Sequence, residues 1–272
     1  MYDICAETDQ GRVRKNNEDA VAFDAITGLC LLADGMGGYN AGEVASGMAV
    51  SSVQLALGNW LALGTQPSSS EMRRALEAGV KNANKLVFDT ACTSIDYQGM
   101  GTTLVVAIFQ NDRLVLGNIG DSRCYRLRGR SLAQITRDHS LLQEHVDAGL
   151  ITARQALSSP HKNLITRALG VEESVQVDID EHRVELDDLY LLCTDGLHDM
   201  VPDTAIFEIL TGPELLADKA RLLVESANAA GGHDNISVLL VRAVTLPGKR
   251  GILSRMLGKI KIGESGHPAA SR

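Results

Sequence analysis

The sequence predicts an α+β fold built on antiparallel sheets. Short apolar runs of strand length cluster early, in the middle and at the end of the chain. Long blocks of helical periodicity lie between the clusters. The two kinds of segment do not alternate one for one, as a parallel βαβ sheet would require.

Taken in order, residues 28–33 form an apolar run that stops at Asp34-Gly35 and read as a strand. Residues 41–62 and 70–91 carry small and apolar side chains at three- and four-residue spacing, so two helices are expected. Ser68-Ser-Ser-Glu71 supplies capping residues ahead of the second. Residues 104–109 and 113–117, joined by Asn111-Asp112, read as a hairpin with a polar turn. Residues 125–128 alternate like a strand, as do residues 175–179. Residues 188–193 form a buried strand shortly before Asp195-Gly196. A third helical pattern covers 213–229, and a last strand covers 236–241.

The chain has 272 residues, enough for a sizeable core. Its 26 basic and 34 acidic residues give a net charge of −8. That charge is uneven. Residues 245–272 carry six basic residues and one acid, whereas residues 1–244 carry 20 basic and 33 acidic residues. The body is therefore −13 and the tail +5. Pro247-Gly248 and the Gly, Ser and Pro beyond Ile262 read as a linker and a frayed end, which sets a domain over 1–244 and a basic tail over 245–272. An acidic body disfavours nucleic acid as a partner. No run approaches the roughly 18 apolar residues of a membrane span. The opening Met-Tyr-Asp-Ile-Cys has no basic or apolar leader, so no signal peptide is expected. Five cysteines without a C-x-x-C pair argue against a disulfide framework or a cysteine zinc site. A reducing cytoplasm fits that usage, and a monomer is expected.

Chemistry is signalled by acids at strand ends. Asp34, Asp121 and Asp195 follow apolar runs; Glu18-Asp19 and Asp234-Asn235 occupy loops. Glycine adjoins four of these five spots. One Asp-Gly pair is a turn, but five such spots gather carboxylates along the rim of a sheet. Grouped carboxylates repel unless cations join them, and oxygen-only ligands select Mg²⁺ or Mn²⁺. Paired ions lower the pKa of a shared water and aim it at phosphorus. Spacing alone does not name the reaction.

Two competing patterns fail on context. Cys124 to Arg130 fits the C-x₅-R phosphate loop of cysteine phosphatases, yet it alternates like a strand and no helix start activates a thiolate. Cys30 and Cys193 lie in apolar strands and read as packing residues. Residues 34–42 superficially look like a dinucleotide turn, but Asn40 stands where the third glycine belongs, and no P-loop occurs. The tail segment 251–262 mixes apolar and basic residues, which suits a membrane surface, a partner or a disordered tail.

Six motifs in one order then carry a resemblance. Arg14-Lys-Asn-Asn-Glu18-Asp19, Ala33-Asp34-Gly-Met-Gly-Gly38, Gly101-Thr-Thr103, Gly120-Asp-Ser-Arg123, Thr194-Asp-Gly-Leu197 and Gly232-His-Asp-Asn-Ile236 resemble the metal-dependent Ser/Thr protein phosphatases, the PPM or type 2C family, in bacterial form. Asn163-Leu-Ile-Thr-Arg-Ala-Leu-Gly170 matches a further family segment. The resemblance covers about residues 3–242 and implies a central sandwich of two antiparallel sheets flanked by helix pairs. It implies hydrolysis of phosphoserine and phosphothreonine in proteins by a metal-bridged water, opposing a bacterial Ser/Thr kinase. By position it implies metal binding at Asp19, Asp34, Asp195 and Asp234, with Glu18 acting through water and Gly35 through its carbonyl. Asp121, with Asp195, matches the ligands of a weaker third ion. Arg14 matches the phosphate-gripping arginine, whose planar fork suits two oxygens. Residues 141–162 match the flap beside the site, and Asn235 takes a supporting role. Many relatives carry a histidine proton donor near residues 34–38, where this chain has Met36 and Tyr39. Metal-bound water is the default proton source, with His139, His161, His198 and His233 as lone candidates that read first as structural residues. A catalytically weak phosphoprotein-sensing module on the same fold, and a phosphohydrolase acting on nucleic acid or small phosphate esters, are the alternatives.

Overall fold

A computed structural model describes residues 1–38, 41–63, 67–152, 155 and 164–246. Tyr39, His161, part of the 141–162 segment and the tail beyond 246 lie outside the described residues.

The chain opens with β1 (Tyr2–Asp9), β2 (Asp19–Asp24) and β3 (Leu29–Met36). Two long helices follow, α1 (Ala41–Leu61) and α2 (Ser69–Thr93). A capping box starts α2: the Ser68 side chain accepts from Glu71 N–H, and the Glu71 side chain accepts from Ser68 N–H. Then come β4 (Gly101–Thr102), β5 (Leu104–Gln110), β6 (Arg113–Ile119), β7 (Arg123–Arg128) and β8 (Ser131–Gln134). After α3 (Leu141–Asp147) the chain forms β9 (Asp178–Arg183) and β10 (Leu189–Cys193). It closes with α4 (Asp195–His198), α5 (Asp203–Thr211), α6 (Leu216–Ala229) and β11 (Ile236–Ala243).

One sheet has the order β1-β11-β10-β7-β8 and the other β2-β3-β5-β6-β9, with β4 pairing β3. All these pairings are antiparallel. Strand alternation sorts the core into layers. On β3, Leu29, Leu31 and Ala33 face the α1–α2 layer, while Cys30 and Leu32 face the opposite sheet. On β10, Tyr190 and Leu192 join that inter-sheet core, and Leu189, Leu191 and Cys193 pack with α5 and α6. Helix pairs therefore cover both outer faces of the sandwich, as the resemblance implies.

Three details depart from the sequence reading. The strand expected over 175–179 starts later, at Asp178, because Val175 and Val177 pack on the helix-layer core before the ladder begins. The third helical pattern, 213–229, is α6, which starts at Leu216, and a further helix that the sequence reading lacks, α5, precedes it. The first apolar strand runs on to Met36, so Asp34 and Gly35 sit inside its end instead of after it. The chain also stays with the body slightly past 244: Val244 and Thr245 donate to Met1 O, and Leu246 packs in the inter-sheet core.

Candidate metal centre

Both sheets deliver acids to one end of the sandwich. Asp19 opens β2 and pairs in register with Asp34, near the end of β3. Asp121 follows the end of β6; Asp195 follows β10, and Asp234 precedes β11, the neighbour of β10. Antiparallel order makes this gathering possible, since strand starts and strand ends alternate along one edge.

Backbone and hydroxyl groups fix these acids from behind. Thr194 Oγ1 donates to Asp19 Oδ2 at 3.0 Å and accepts from Ser237 N–H at 3.0 Å. Asp34 N–H donates to Thr103 Oγ1 at 2.9 Å, and Thr103 shares a 2.7 Å hydroxyl bond with Ser122. Asn235 is buried and stitches two loops together. Its Oδ1 accepts from Glu18 N–H at 2.8 Å, and its Nδ2 donates to Gln10 O and Asn16 O. Close packing at Glu18 needs glycine: a Cβ on Gly35 lies 2.1 Å from Gly42 O, and one on Gly42 lies 2.5 Å from Glu18 Oε2.

The front of the cluster is unsatisfied. Asp19 Oδ1, Asp121 Oδ1 and Asp195 Oδ1 are buried without a hydrogen-bond partner. Such atoms are costly unless something charged meets them. Burial first, then repulsion from Asp19, Asp195, Asp121 and Asp234, holds the Asp34 carboxyl well above its ordinary range. Asp195 is raised likewise by burial and by Asp121 and Asp234. Burial pushes Asp19 up to about 7 against the hydrogen bonds from Ser237 and Thr194. Asp121 rises to about 6, chiefly through burial. Among the described residues no three acid, His or Cys side chains stand arranged to hold an ion. The carboxylates are an oxygen-only set, with Arg14 donating to Asp234 at the rim, and oxygen donors are the chemistry that suits a hard divalent cation. The residues present fit such ions.

Arg14 leans over this rim. Its Nη2 lies 2.5 Å from Asp234 Oδ2, and Asp34 and Glu18 add to the field that raises its pKa against burial. The guanidinium is half exposed, so it can turn from Asp234 to an incoming anion.

The candidate proton donors resolve differently. His139 is 2% exposed; burial lowers its pKa despite a bond to Asp178. His198 is buried, with Nε2 3.2 Å from Asp121 O. His233 is exposed beside Gly231. Met36 lines a cleft with Ile165, Arg167 and Val171 and carries no exchangeable proton. Cys124 lies on β7 with no exposure, its thiol pushed far up by burial, so it has no phosphate-loop role. Cys30 and Cys193 are also fully buried. Sequence reasoning omits Thr103, Thr194 and Ser122 as supports. A small hydroxyl residue beside a strand-end acid marks Thr194 and Ser122; Thr103 has no acid beside it.

Comparisons with known proteins agree with this geometry. The family profile described as Protein phosphatase 2C matches residues 10–225. A serine/threonine phosphatase, stp, of Listeria monocytogenes is 42% identical over 246 residues, covering 89% of this chain and 96% of the relative. The crystal structure of the Mycobacterium tuberculosis serine/threonine phosphatase PstP/Ppp aligns with a TM-score of 0.83 at 39% identity, over 90% of this chain and 99% of that one. A structure of the PstP catalytic domain in complex with two manganese ions aligns with a TM-score of 0.79 at 38% identity, again over 90% and 99%.

Proposed function

This chain belongs to the protein phosphatase 2C family, and from that premise we propose that its carboxylate rim and Arg14 form the catalytic centre. The chain is a metal-dependent protein-serine/threonine phosphatase that acts on phosphorylated proteins and uses Mn²⁺ or Mg²⁺. Asp19, Asp34, Asp195 and Asp234 would hold two ions, with Glu18 reaching them through water and Gly35 through its carbonyl. Asp121, with Asp195, would hold a third, weaker ion. When bound, the ions polarise the phosphate and lower the pKa of a coordinated water for in-line attack. Arg14 leaves Asp234 and grips the phosphate oxygens, neutralising charge that grows on them during the reaction. Thr194 and Asn235 keep the acids in place, so little reorganisation is needed as substrate arrives.

The observation that carries this reading is the set of three buried carboxylate oxygens, all at one rim, with no partner in the protein. His139 and His198 are buried in the scaffold and His233 is exposed beside Asp234; we assign the proton for the leaving alkoxide to solvent at the ion-bearing rim. We further propose a cytoplasmic monomer that opposes a bacterial Ser/Thr kinase. The absence of any helix long and apolar enough to cross a membrane among the described residues is compatible with that location. The division into a body over 1–244 and a basic tail over 245–272 is likewise our proposal, with contacts of Leu246 extending the body by two residues.

Phosphate release from a phosphothreonine peptide tests the reading. Activity with Mn²⁺, loss with EDTA and loss in Asp34→Asn are expected. Activity that survives EDTA would overturn it. Tight phosphopeptide binding without turnover in any metal would favour the sensing module instead.

A further inference from the structure

His139 stands between the loop that carries Asp121 and the two ends of the 141–162 segment. Its backbone N–H donates to Gly120 O at 2.9 Å, and its ring Nδ1 accepts from Gly120 N–H at 3.0 Å. One residue thus takes both backbone polar groups of Gly120, the residue before Asp121. Its carbonyl accepts from Thr166 N–H at 2.8 Å. The next residues continue the seam: Ser140 bridges Ile165, and Leu141 N–H donates to Leu164 O at 2.9 Å. Residues 139–141 and 164–166, which flank the segment, are therefore joined directly behind His139.

The ring is oriented as firmly as the backbone. An Nδ1 that accepts leaves the ring proton on Nε2. Asp178 Oδ2, 3.0 Å from Nε2, receives it. Arg167 Nη1 donates to Asp178 Oδ1 at 2.8 Å and so holds the carboxylate that receives the ring proton; its approach to Nε2 is one donor beside another, both served by Asp178. At the other side, Gly120 has φ +96°, and a Cβ there falls 2.6 Å from Thr103 Cγ2. Thr103 is the hydroxyl that accepts from Asp34 N–H. The Asp121 loop is thereby wedged between the strand of Asp34 and the ring of His139.

We infer that His139 is a positioning residue: held by Asp178 and Arg167, it fixes Asp121 and fastens that acid to the base of the 141–162 segment. The inference rests on the proposed reading of Asp121 as a metal-holding acid. Outer partners of this kind set the direction of a ligand, and their loss typically weakens metal binding or activity about 10- to 100-fold.

The test uses the full chain and the variants His139→Ala, His139→Asn, Asp178→Asn and Arg167→Gln, with Asp121→Asn alongside. Asparagine can still accept from Gly120 N–H but does not reach Asp178. Mn²⁺ binding is followed by electron paramagnetic resonance, and kcat and KM for para-nitrophenyl phosphate are measured across Mn²⁺ concentrations. Asp121→Asn and His139→Ala should both weaken the weakest Mn²⁺ by about tenfold or more. In both, kcat should fall while KM stays within about twofold, because Arg14 is untouched. His139→Asn should recover most of the lost affinity. Asp178→Asn and Arg167→Gln, at half-buried positions that tolerate change, should shift it less and in the same direction. If Asp121→Asn weakens Mn²⁺ but the Asp178, Arg167 and His139→Asn variants and a folded His139→Ala all bind like the parent, the positioning role is overturned. If Asp121→Asn itself changes nothing, the reading of Asp121 falls. If His139→Ala does not fold, the Asp178 and Arg167 variants decide between these outcomes.

Discussion

Asp138, Asp178 and Asp188 each pair with an arginine; Asp19, Asp121 and Asp195 do not. Arg123 lies 2.7 Å from Asp138, Arg167 2.8 Å from Asp178 and Arg128 2.7 Å from Asp188. Hydrogen bonds from His139 and Arg167 outweigh burial at Asp178 and hold its pKa below the ordinary value. The second group keeps buried oxygens with no partner, and the pKa values of Asp19, Asp121 and Asp195 are pushed up. Asp138, Asp178 and Asp188, whose charge an arginine neutralises, belong to the scaffold. For Asp19, Asp121 and Asp195 the counter-charge comes, in our proposal, from bound ions, while Asp234 is held by Arg14 until substrate arrives. The same side chain thus does two jobs, and its surroundings tell them apart.

The contrast can be broken most sharply at Asp34. Asp34→Asn should lower phosphatase activity by about 10²- to 10³-fold, yet raise the melting temperature of the EDTA-treated protein by relieving repulsion. Thermal scans with and without Mn²⁺ check both halves; a lower melting temperature in EDTA would contradict the second. Asp188→Ala should behave in the opposite way. It leaves Arg128 only Glu185 and the Arg183 carbonyl and takes the acceptor from Glu185 N–H and the buried Tyr190 hydroxyl; it should cost about 3 kcal/mol of stability, measured by urea denaturation, while the Mn²⁺ dependence of activity stays that of the parent.

A pH series sharpens the same comparison. Asp19 at about 7 and Asp121 at about 6 lie above their unfolded values near 4. The folded, metal-free protein therefore binds more protons than the unfolded chain across that window. Their contribution to stability is greatest below about pH 4 and is lost as pH rises toward 7. Asp178, with its lowered value, contributes above about pH 4 and loses that contribution as pH falls. Added Mn²⁺ should cancel the first effect, so the melting-temperature gap between Mn²⁺ and EDTA samples should widen from pH 5 to pH 7. A constant gap would contradict the assignment. The smallest effect is expected at Cys124. Cys124→Ala should leave kcat/KM within about twofold and cost about 1 kcal/mol of packing.

Much of this is legible in the sequence, and the limits have physical causes. The central strands are continuous apolar runs because both of their faces are covered, and the acids stand out where those runs stop. Edge elements are harder to read. The strands β1 and β2 are mostly half-buried and carry charges, and Tyr2 finds its partner at Ala243, far along the chain. The polar edge strand β9 lacks an apolar run altogether. At the site, the carboxylates and Arg14 are marked by their motifs. The supports are not: His139, Arg167 and Asp178 have no regular spacing, and only the folded seam at residues 139–141 and 164–166 brings them together. Thr194 hides in plain view, since its role depends on Asp19, 175 positions earlier.

The central claim is that the unpartnered carboxylates hold the ions. Calorimetric titration of the metal-free protein with Mn²⁺ near pH 6.5, in two buffers of different ionisation enthalpy, tests it most directly. At least two ions per chain should bind with release of protons, since raised carboxyls must ionise as metal enters, and Asp34→Asn should lose tight binding. Binding without proton release, or two ions held equally well by Asp34→Asn, would contradict the account.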